Sequence, residues 1–287
     1  MTKYLITGAN GMVGQDLRHA LAGRDVLARS HSELDITNYD AARDALADCD
    51  VVINAAGYTR VDDAEENEEE AFDANATGPE NLAIAASETG ARLIQLSTDY
   101  VFDGHASDPY GEHAPLHPRS AYGRTKAAGE QRAVAMHPDG TYIVRTAWLY
   151  GAGGPNFAQT ILRQATVQDT VSVVTDQLGQ PTWTGDLARQ IVQLLDSDAA
   201  PGIYHATNSG EASWYDFARE IFQVVGLDPD RVEPTTHDRF GRLAPRPSYA
   251  VLGHDGWAAT GISPMRNWRA ALSAAHSAGV LTAVSIA

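Results

Sequence analysis

Lysine is nearly missing from this chain of 287 residues, where Lys3 and Lys126 stand against 19 arginines. Cysteine is rarer still. Cys49 alone excludes an intramolecular disulfide, and with no Cys or His ligands beside it, it reads as a structural residue rather than part of a zinc site. Long hydrophobic runs are absent too: none approaches the roughly 18–20 apolar residues that cross a bilayer. The first β-leaning run starts at residue 3 and leaves no room for a leader, so the expected compartment is the cytoplasm. Positive charge is also in deficit, with a formal net charge of −16. Nucleic-acid partners are not expected, because counterion release needs stripes of lysine and arginine. Carboxylates in excess of lysine keep a protein soluble where salt screens strongly, which points to a halophilic source. The ten histidines are not read as a ligand set, and no catalytic metal is expected.

What is present points to a packed enzyme. A hydrophobic content of 44% suffices for one large core, or a core and a smaller lobe. The apolar run Tyr4-Leu-Ile-Thr7 passes directly into Gly8-Ala-Asn10-Gly11-Met12-Val13-Gly14, and a helix-like stretch follows over residues 12–22. Glycines at a strand-to-helix junction permit a tight turn and close backbone approach, so the helix N-terminus can hold a pyrophosphate. Strand-like segments at 26–28, 51–54, 92–97 and 142–146 alternate with helix-like ones at 39–47, 67–88 and 121–136. That alternation predicts an α/β fold of Rossmann type, a doubly wound parallel sheet with helices on both faces. Residues 1–150 form the expected dinucleotide-binding domain and residues 151–287 a smaller C-terminal substrate-binding lobe. The amphipathic stretch 185–195 and the strand-like 202–206 suggest that the segment 184–207 returns to the first domain. The acidic run Glu65-Glu-Asn-Glu-Glu-Glu70 is expected to be the solvated start of a helix, without a ligand.

The second lysine stands four residues after a tyrosine, in Tyr122-Gly-Arg-Thr-Lys126. Positions i and i+4 share a helix face, so the ammonium is expected beside the phenol, favouring its ionised form. A tyrosine that ordinarily titrates near pH ~10 then becomes a usable proton donor. Three strand ends complete the pattern. Asn54-Ala55-Ala56-Gly57 would let backbone approach the adenosine half of a dinucleotide. Thr98, in Ser97-Thr-Asp99-Tyr-Val101-Phe, could stabilise charge developing on a carbonyl oxygen. Trp148 could stack on a sugar face.

In that order, Gly8/Gly11/Gly14, Asn54-Ala-Ala-Gly57, Thr98 and Tyr122-x-x-x-Lys126 resemble the extended short-chain dehydrogenase/reductases. The further wording Leu34-Asp-Ile-Thr37, Ser97-Thr-Asp-Tyr-Val-Phe-Asp-Gly104, Arg145-Thr-Ala-Trp-Leu-Tyr-Gly151, Asn156-Phe157 and Asp176-Gln-x-Gly-x-Pro-Thr182 is similar to the dTDP-4-dehydrorhamnose reductase branch, over nearly the whole chain. The resemblance implies reduction of the C4 ketone of a dTDP-linked 4-dehydro-6-deoxy sugar, giving dTDP-L-rhamnose or a close relative. It implies Thr98, Tyr122 and Lys126 as catalytic residues. It places Gly8, Asn10, Gly11, Met12, Val13, Ala55, Ala56, Gly57, Tyr122 and Lys126 on the cofactor, the lysine at the nicotinamide ribose, and Thr98, Asp99, Val101, Trp148, Asn156 and Arg246 on a nucleotide-sugar substrate. Here the family's Arg-Pro-x-x-Ser-x-Leu reads Arg246-Pro-Ser-Tyr-Ala-Val-Leu252, with the serine shifted to Ser248.

Cofactor choice follows from the end of the second strand, where an acidic residue would select NAD. Arg29-Ser30 stands there instead. A guanidinium and a hydroxyl suit a 2′-phosphate, so NADPH is expected, with NADH accepted as well, and Asp35 and Ile36 near the adenine. A homodimer is an expected assembly. Two alternatives stay open at this point: an epimerase or dehydratase of the same fold, and a noncatalytic subunit resembling the regulatory partner of methionine adenosyltransferase.

Overall fold

The computed structural model describes residues 1–281. Its centre is a six-stranded sheet. Five strands are β1 (Lys3–Thr7), β2 (Asp25–Arg29), β3 (Val51–Asn54), β4 (Arg92–Thr98) and β5 (Thr141–Thr146), and Gly202–His205 is the sixth. All pair in parallel, in the order Gly202–His205, β5, β4, β3, β1, β2. The order reverses between β1 and β3, the switch point at which open α/β sheets bind ligands.

Period-two alternation explains both faces. Tyr4, Ile6, Val51, Ile53, Ile94, Tyr142 and Val144 meet Leu17, Leu187, Ile191 and Leu194 on one side. Leu5, Val52 and Leu93 meet Leu46, Leu82 and Ala86 on the other. Strands covered on both faces read as unbroken apolar runs, and every residue of β3 and β5 is buried. The helices that supply this cover are α1 (Met12–Ala20), α2 (Tyr39–Leu46), α4 (Gly78–Thr89), α5 (Ala121–Met136) and α7 (Thr184–Asp196), while α3 (Glu68–Phe72) packs on α5 and α6 (Phe157–Val167) lies off the sheet. Then α8 (Trp214–Val224) and α9 (Trp268–Ser277) join α6 around a separate cluster of Tyr150, Trp183, Phe217, Ile221, Trp268 and Leu272. None of the helices among the described residues is long and apolar enough to cross a membrane.

Two expected elements are corrected. The single helix over 67–88 is interrupted by a π-helical turn, Asp73–Thr77, between α3 and α4. Pro79 has no amide hydrogen to give the Asn75 carbonyl, and the Asn75 side chain is pulled aside by Tyr58 and Thr125. The acidic run is also more than a solvated face. Glu65 accepts from the Ala121 amide at 2.8 Å, and Glu68 takes both ends of the Arg124 guanidinium, so the run clasps the start of α5.

Candidate active site

The glycine turn is built for close approach. Gly8 has φ +65, and a Cβ there would lie 2.6 Å from the Ala55 carbonyl oxygen and the Ala56 nitrogen. A Cβ at Gly14 would strike the Gly8 carbonyl. Gly11 caps α1 with no side-chain hydrogen bond and no acidic residue in the first turn, leaving the first amides of α1 for an anion. The turn is tied to β2 by Ala9 N donating to Arg29 O at 2.9 Å. Val13 is buried in the core, while Asn10 is exposed. Met12 receives the Asn156 amide on its sulfur at 3.7 Å.

Behind this turn runs a buried polar chain. Thr7 Oγ1 donates to Asn54 Oδ1 at 2.5 Å, Asn54 Nδ2 to Gln95 Oε1 at 2.7 Å, and Gln95 Nε2 to Leu96 O at 2.8 Å. Asn54 Oδ1 also accepts from Ala56 N at 3.1 Å, which sets the half-buried Ala55-Ala56 turn. Gly57 follows, where a Cβ would lie 2.9 Å from Asn75 Oδ1.

At the end of β4, Thr98 Oγ1 donates to Asp99 Oδ1 at 2.8 Å and accepts from Tyr100 N at 3.3 Å. Asp99 is buried and its Oδ2 has no partner; burial raises its carboxyl to about 7. Ser120 caps α5 through the Gly123 amide at 3.1 Å, which places Tyr122 in the first turn. Burial pushes the Tyr122 phenol up to about 12, against a lowering hydrogen bond with Thr98. Tyr100 packs edge-on against the Tyr122 ring, with centroids 5.5 Å apart.

The expected contact between Lys126 and Tyr122 is not what the structure shows. Lys126 Nζ donates to the Leu96 carbonyl at 2.6 Å. Although the two side chains share a helix side, α5 lies on β4, and a desolvated ammonium takes the backbone acceptor within its reach. Burial lowers Lys126 to about 8, and the Glu130 carboxylate opposes that. Glu130 in turn forms a buried bidentate pair with Arg145, at 2.9 Å and 2.6 Å.

A cavity of about 710 Å³ opens two residues along the chain from Thr98 and Tyr122, at Tyr100 and Ser120, and is lined also by Trp148, Phe157, Trp214, Arg119 and Arg246 among others. Trp148 has φ +45, the one left-handed non-glycine among the described residues. It stacks on Trp214 with centroids 3.5 Å apart and planes 6° from parallel. Gly179 has no side chain because a Cβ would come within 2.5 Å of the Trp148 ring. Arg246 reaches the wall of the cavity and donates to Asp62 Oδ2 at 2.6 Å. Four expected substrate residues do not line it: Thr98 and Asp99, buried at the end of β4, and Val101 and Asn156. Val101 is fully buried with Phe102, Ala127 and Leu252. Asn156 spends its amide on the cap of α6 and on the carbonyls of Gly151 and Gly154. Ser248 likewise donates to Gly104 O.

A second cavity, of about 480 Å³, lies at the end of β2 and is lined by Ala9, Asn10, Arg18, Ser30, Ser32 and Glu33. Arg29 ends the strand, half-buried. Asp35 is turned to its own loop, accepting from Thr37 N at 3.0 Å and Thr37 Oγ1 at 2.7 Å, and is held below the usual carboxylate range by those bonds. Ile36 is buried against Gly78. Glu33 is missed by the sequence reading, yet an acidic residue about 20 positions past the glycine turn is the ordinary sign of a ribose contact. Asn75 and the Arg145–Glu130 pair are missed because their partners are remote in sequence.

Comparison with known proteins agrees with this geometry. The family model described as the RmlD substrate binding domain matches residues 2–279. A dTDP-4-dehydrorhamnose reductase of Streptomyces griseus is 49% identical over 279 residues, covering 94% of this chain and 92% of the relative. The chain belongs to the dTDP-4-dehydrorhamnose reductase family of extended short-chain dehydrogenases/reductases. Another relative, a probable dTDP-4,6-dihydroxy-2-methyloxan-3-one 4-ketoreductase of Streptomyces antibioticus, is also 49% identical, over 94% of this chain and 93% of its own. The solved structure of dTDP-4-dehydrorhamnose reductase from Bacillus anthracis, in complex with NADP, superposes with a TM-score of 0.93 at 36% identity, covering 97% of this chain and all of that one. The family's dinucleotide fold thus accounts for the glycine cradle and for the strand ends that surround it.

Proposed function

We propose that this protein reduces the C4 ketone of dTDP-4-dehydro-6-deoxy-L-mannose to dTDP-L-rhamnose, with NADPH as reductant. The observation that supports the reading is the pairing of a protonated phenol, Tyr122, with the Thr98 hydroxyl, two residues along the chain from Ser120 and Tyr100 in the lining of the larger cavity, in a protein whose glycine turn leaves no side chain in the way. Gly8, Gly11 and the first amides of α1 fit a pyrophosphate, and the Ala55-Ala56 turn fits the flat adenosine half. A nicotinamide bound there supplies the hydride that the C4 carbon receives.

Tyr122 gives its phenolic proton to the C4 oxygen as negative charge develops on it, so the ketone gains a hydride and a proton and becomes an alcohol. The Thr98 hydroxyl, which donates to Asp99 before substrate binds, turns to donate to the same oxygen as charge develops there. Asp99 holds the Thr98 hydroxyl at 2.8 Å and acts as a positioning residue. The Lys126 charge favours the phenolate that Tyr122 leaves behind. Trp148 and Trp214 offer flat apolar surface to the sugar or the base. Arg246, together with Arg119 and Arg242 on the same wall, offers cations to the diphosphate. The net charge of −16 with two lysines supports a salt-rich cytoplasm as the setting.

The test is to supply purified protein with NADPH and the keto-sugar nucleotide and to count both. One NADPH consumed per dTDP-L-rhamnose formed is the expected stoichiometry. Conversion of the sugar with no loss of NADPH would instead reveal an internal redox cycle, as in an epimerase, and would refute the reading.

A further inference from the structure

One wall of the larger cavity is a segment of the second lobe, residues 237–247, that crosses back to the first domain. Its start is fixed, since His237 donates to Asp176 from its backbone amide and pairs with it through the ring, at 3.1 Å and 2.8 Å. Residues 238–243 are then exposed, Phe240 at 46% and Leu243 at 64% among them. Beyond them three donors converge on one carboxylate. Asp62 Oδ1 accepts from the Ala244 amide at 3.1 Å, and Asp62 Oδ2 accepts from Arg246 at 2.6 Å and from Arg242 at 3.5 Å. Among the described residues, 241–247 make no hydrogen bond outside their own segment except those to Asp62. Burial would raise the Asp62 carboxyl, yet the Ala244 amide and the two arginines hold it below its usual range. Arg246 is 15% exposed, and one further N–H of its guanidinium goes to the Ala244 carbonyl at 3.1 Å. A guanidinium carries five N–H groups, so donors remain for another acceptor.

We propose that Asp62 is the positioning residue that latches this wall shut and holds Arg246 ready for the diphosphate of the substrate. The inference rests on the reductase reading, which puts a nucleotide diphosphate in this cavity. Asp62 stands in the loop after β3, outside the cavity lining, so it acts only through the arginines and the Ala244 backbone. A long side chain that is already held loses little rotamer freedom when an anion binds it. The carboxylate takes one N–H of Arg246 and leaves others for phosphate oxygens, so it orients the cation without replacing the substrate. Because the tie is a single surface carboxylate, the same wall releases when nucleotide enters or leaves.

Limited trypsin digestion and steady-state kinetics test this together. Arg239 lies on the exposed stretch and makes no bond to Asp62, so cleavage after it reports opening of the segment rather than loss of its own partner. Asp62→Asn keeps the size of the side chain and removes its charge. Cleavage after Arg239, read by fragment mass, is expected to quicken by at least about fivefold, because proteolysis follows the open population. The KM for the keto-sugar nucleotide and the Kd of dTDP are expected to rise about tenfold, the scale of one hydrogen bond to a charged group. Over the same change kcat stays within about twofold and NADPH affinity is unchanged, and Asp62→Glu restores both readouts in part. A KM within about twofold of the unaltered value, or cleavage no faster than before, overturns the proposal. So does a loss of NADPH affinity in step with the rise in KM, which would mean that the whole fold had loosened. Should the unaltered protein neither bind dTDP nor reduce the keto-sugar, the reductase reading itself fails, while the cleavage rates still decide whether Asp62 holds the segment.

Discussion

The Lys126 ammonium donates to the Leu96 carbonyl oxygen across 2.6 Å, and that same oxygen accepts from the Gln95 amide at 2.8 Å. The lysine is thereby anchored to β4 and, through Gln95 and Asn54, to the first strand behind the glycine turn. Lys126 is therefore held in a fixed position against the sheet rather than by a direct side-chain bond to Tyr122.

Because burial lowers Lys126 to about 8 and raises Tyr122 to about 12, the alkaline limb of activity belongs to the lysine. Lys126 is charged below about 8 and neutral above, while Tyr122 keeps its proton throughout. The kcat/KM for the keto-sugar is expected to fall as pH rises through about 8. A profile flat to about pH 10 would contradict this assignment.

Asp99 gives a pH dependence of its own, in stability rather than activity. Its folded-state value of about 7 lies above its ordinary 3.8, so the stabilisation is complete below that ordinary value and is lost as pH rises through about 7. Asp99→Asn removes the cost of the buried charge. Its melting temperature relative to the unaltered protein is expected to be higher at about pH 8 than at about pH 4. Equal differences at the two pH values would show that Asp99 is not strained by burial.

Glu130→Gln leaves the Arg145 guanidinium, 1% exposed, without its counter-charge. Stranding a buried cation costs about 3–5 kcal/mol, to be read as a lower urea midpoint at an unchanged slope. The double replacement Arg145→Met with Glu130→Met recovers most of that loss. A single variant with a cost below about 1 kcal/mol would mean that water reaches the pair.

Gly8→Ala places a methyl group against the Ala55-Ala56 backbone at a left-handed position. It is expected to abolish nucleotide binding and to lower the melting temperature. Gly23→Ala, also left-handed but with open space around it, is expected to leave binding intact. Equal effects of the two changes on binding would show that close approach at Gly8 is not required.

Much of the fold is legible in the sequence because its signals are local. The apolar run into Gly8, the all-buried β3 and β5, and Thr98 at the end of β4 each depend on a handful of adjacent residues. The stretch 121–136 is legible to its ends, since Ser120 is a ready cap. What escapes depends on partners far along the chain. The π-turn at Asn75 needs Thr125, 50 residues on; the position of Lys126 needs Leu96, 30 residues back. Asn156 and Val101 carry a motif whose atoms this fold uses for capping and packing. Glu33 is three residues from Ser30, but only the turn between them brings its carboxylate onto the serine.

The most direct check of the central chemistry is single-turnover reduction of dTDP-4-dehydrorhamnose by Tyr122→Phe, with NADPH affinity measured on the same sample. Loss of the phenolic proton donor is expected to slow reduction by at least about 100-fold while NADPH binds as before. A Tyr122→Phe protein that reduces the sugar at the unaltered rate would contradict the assignment of that tyrosine, and with it the mechanism built on it.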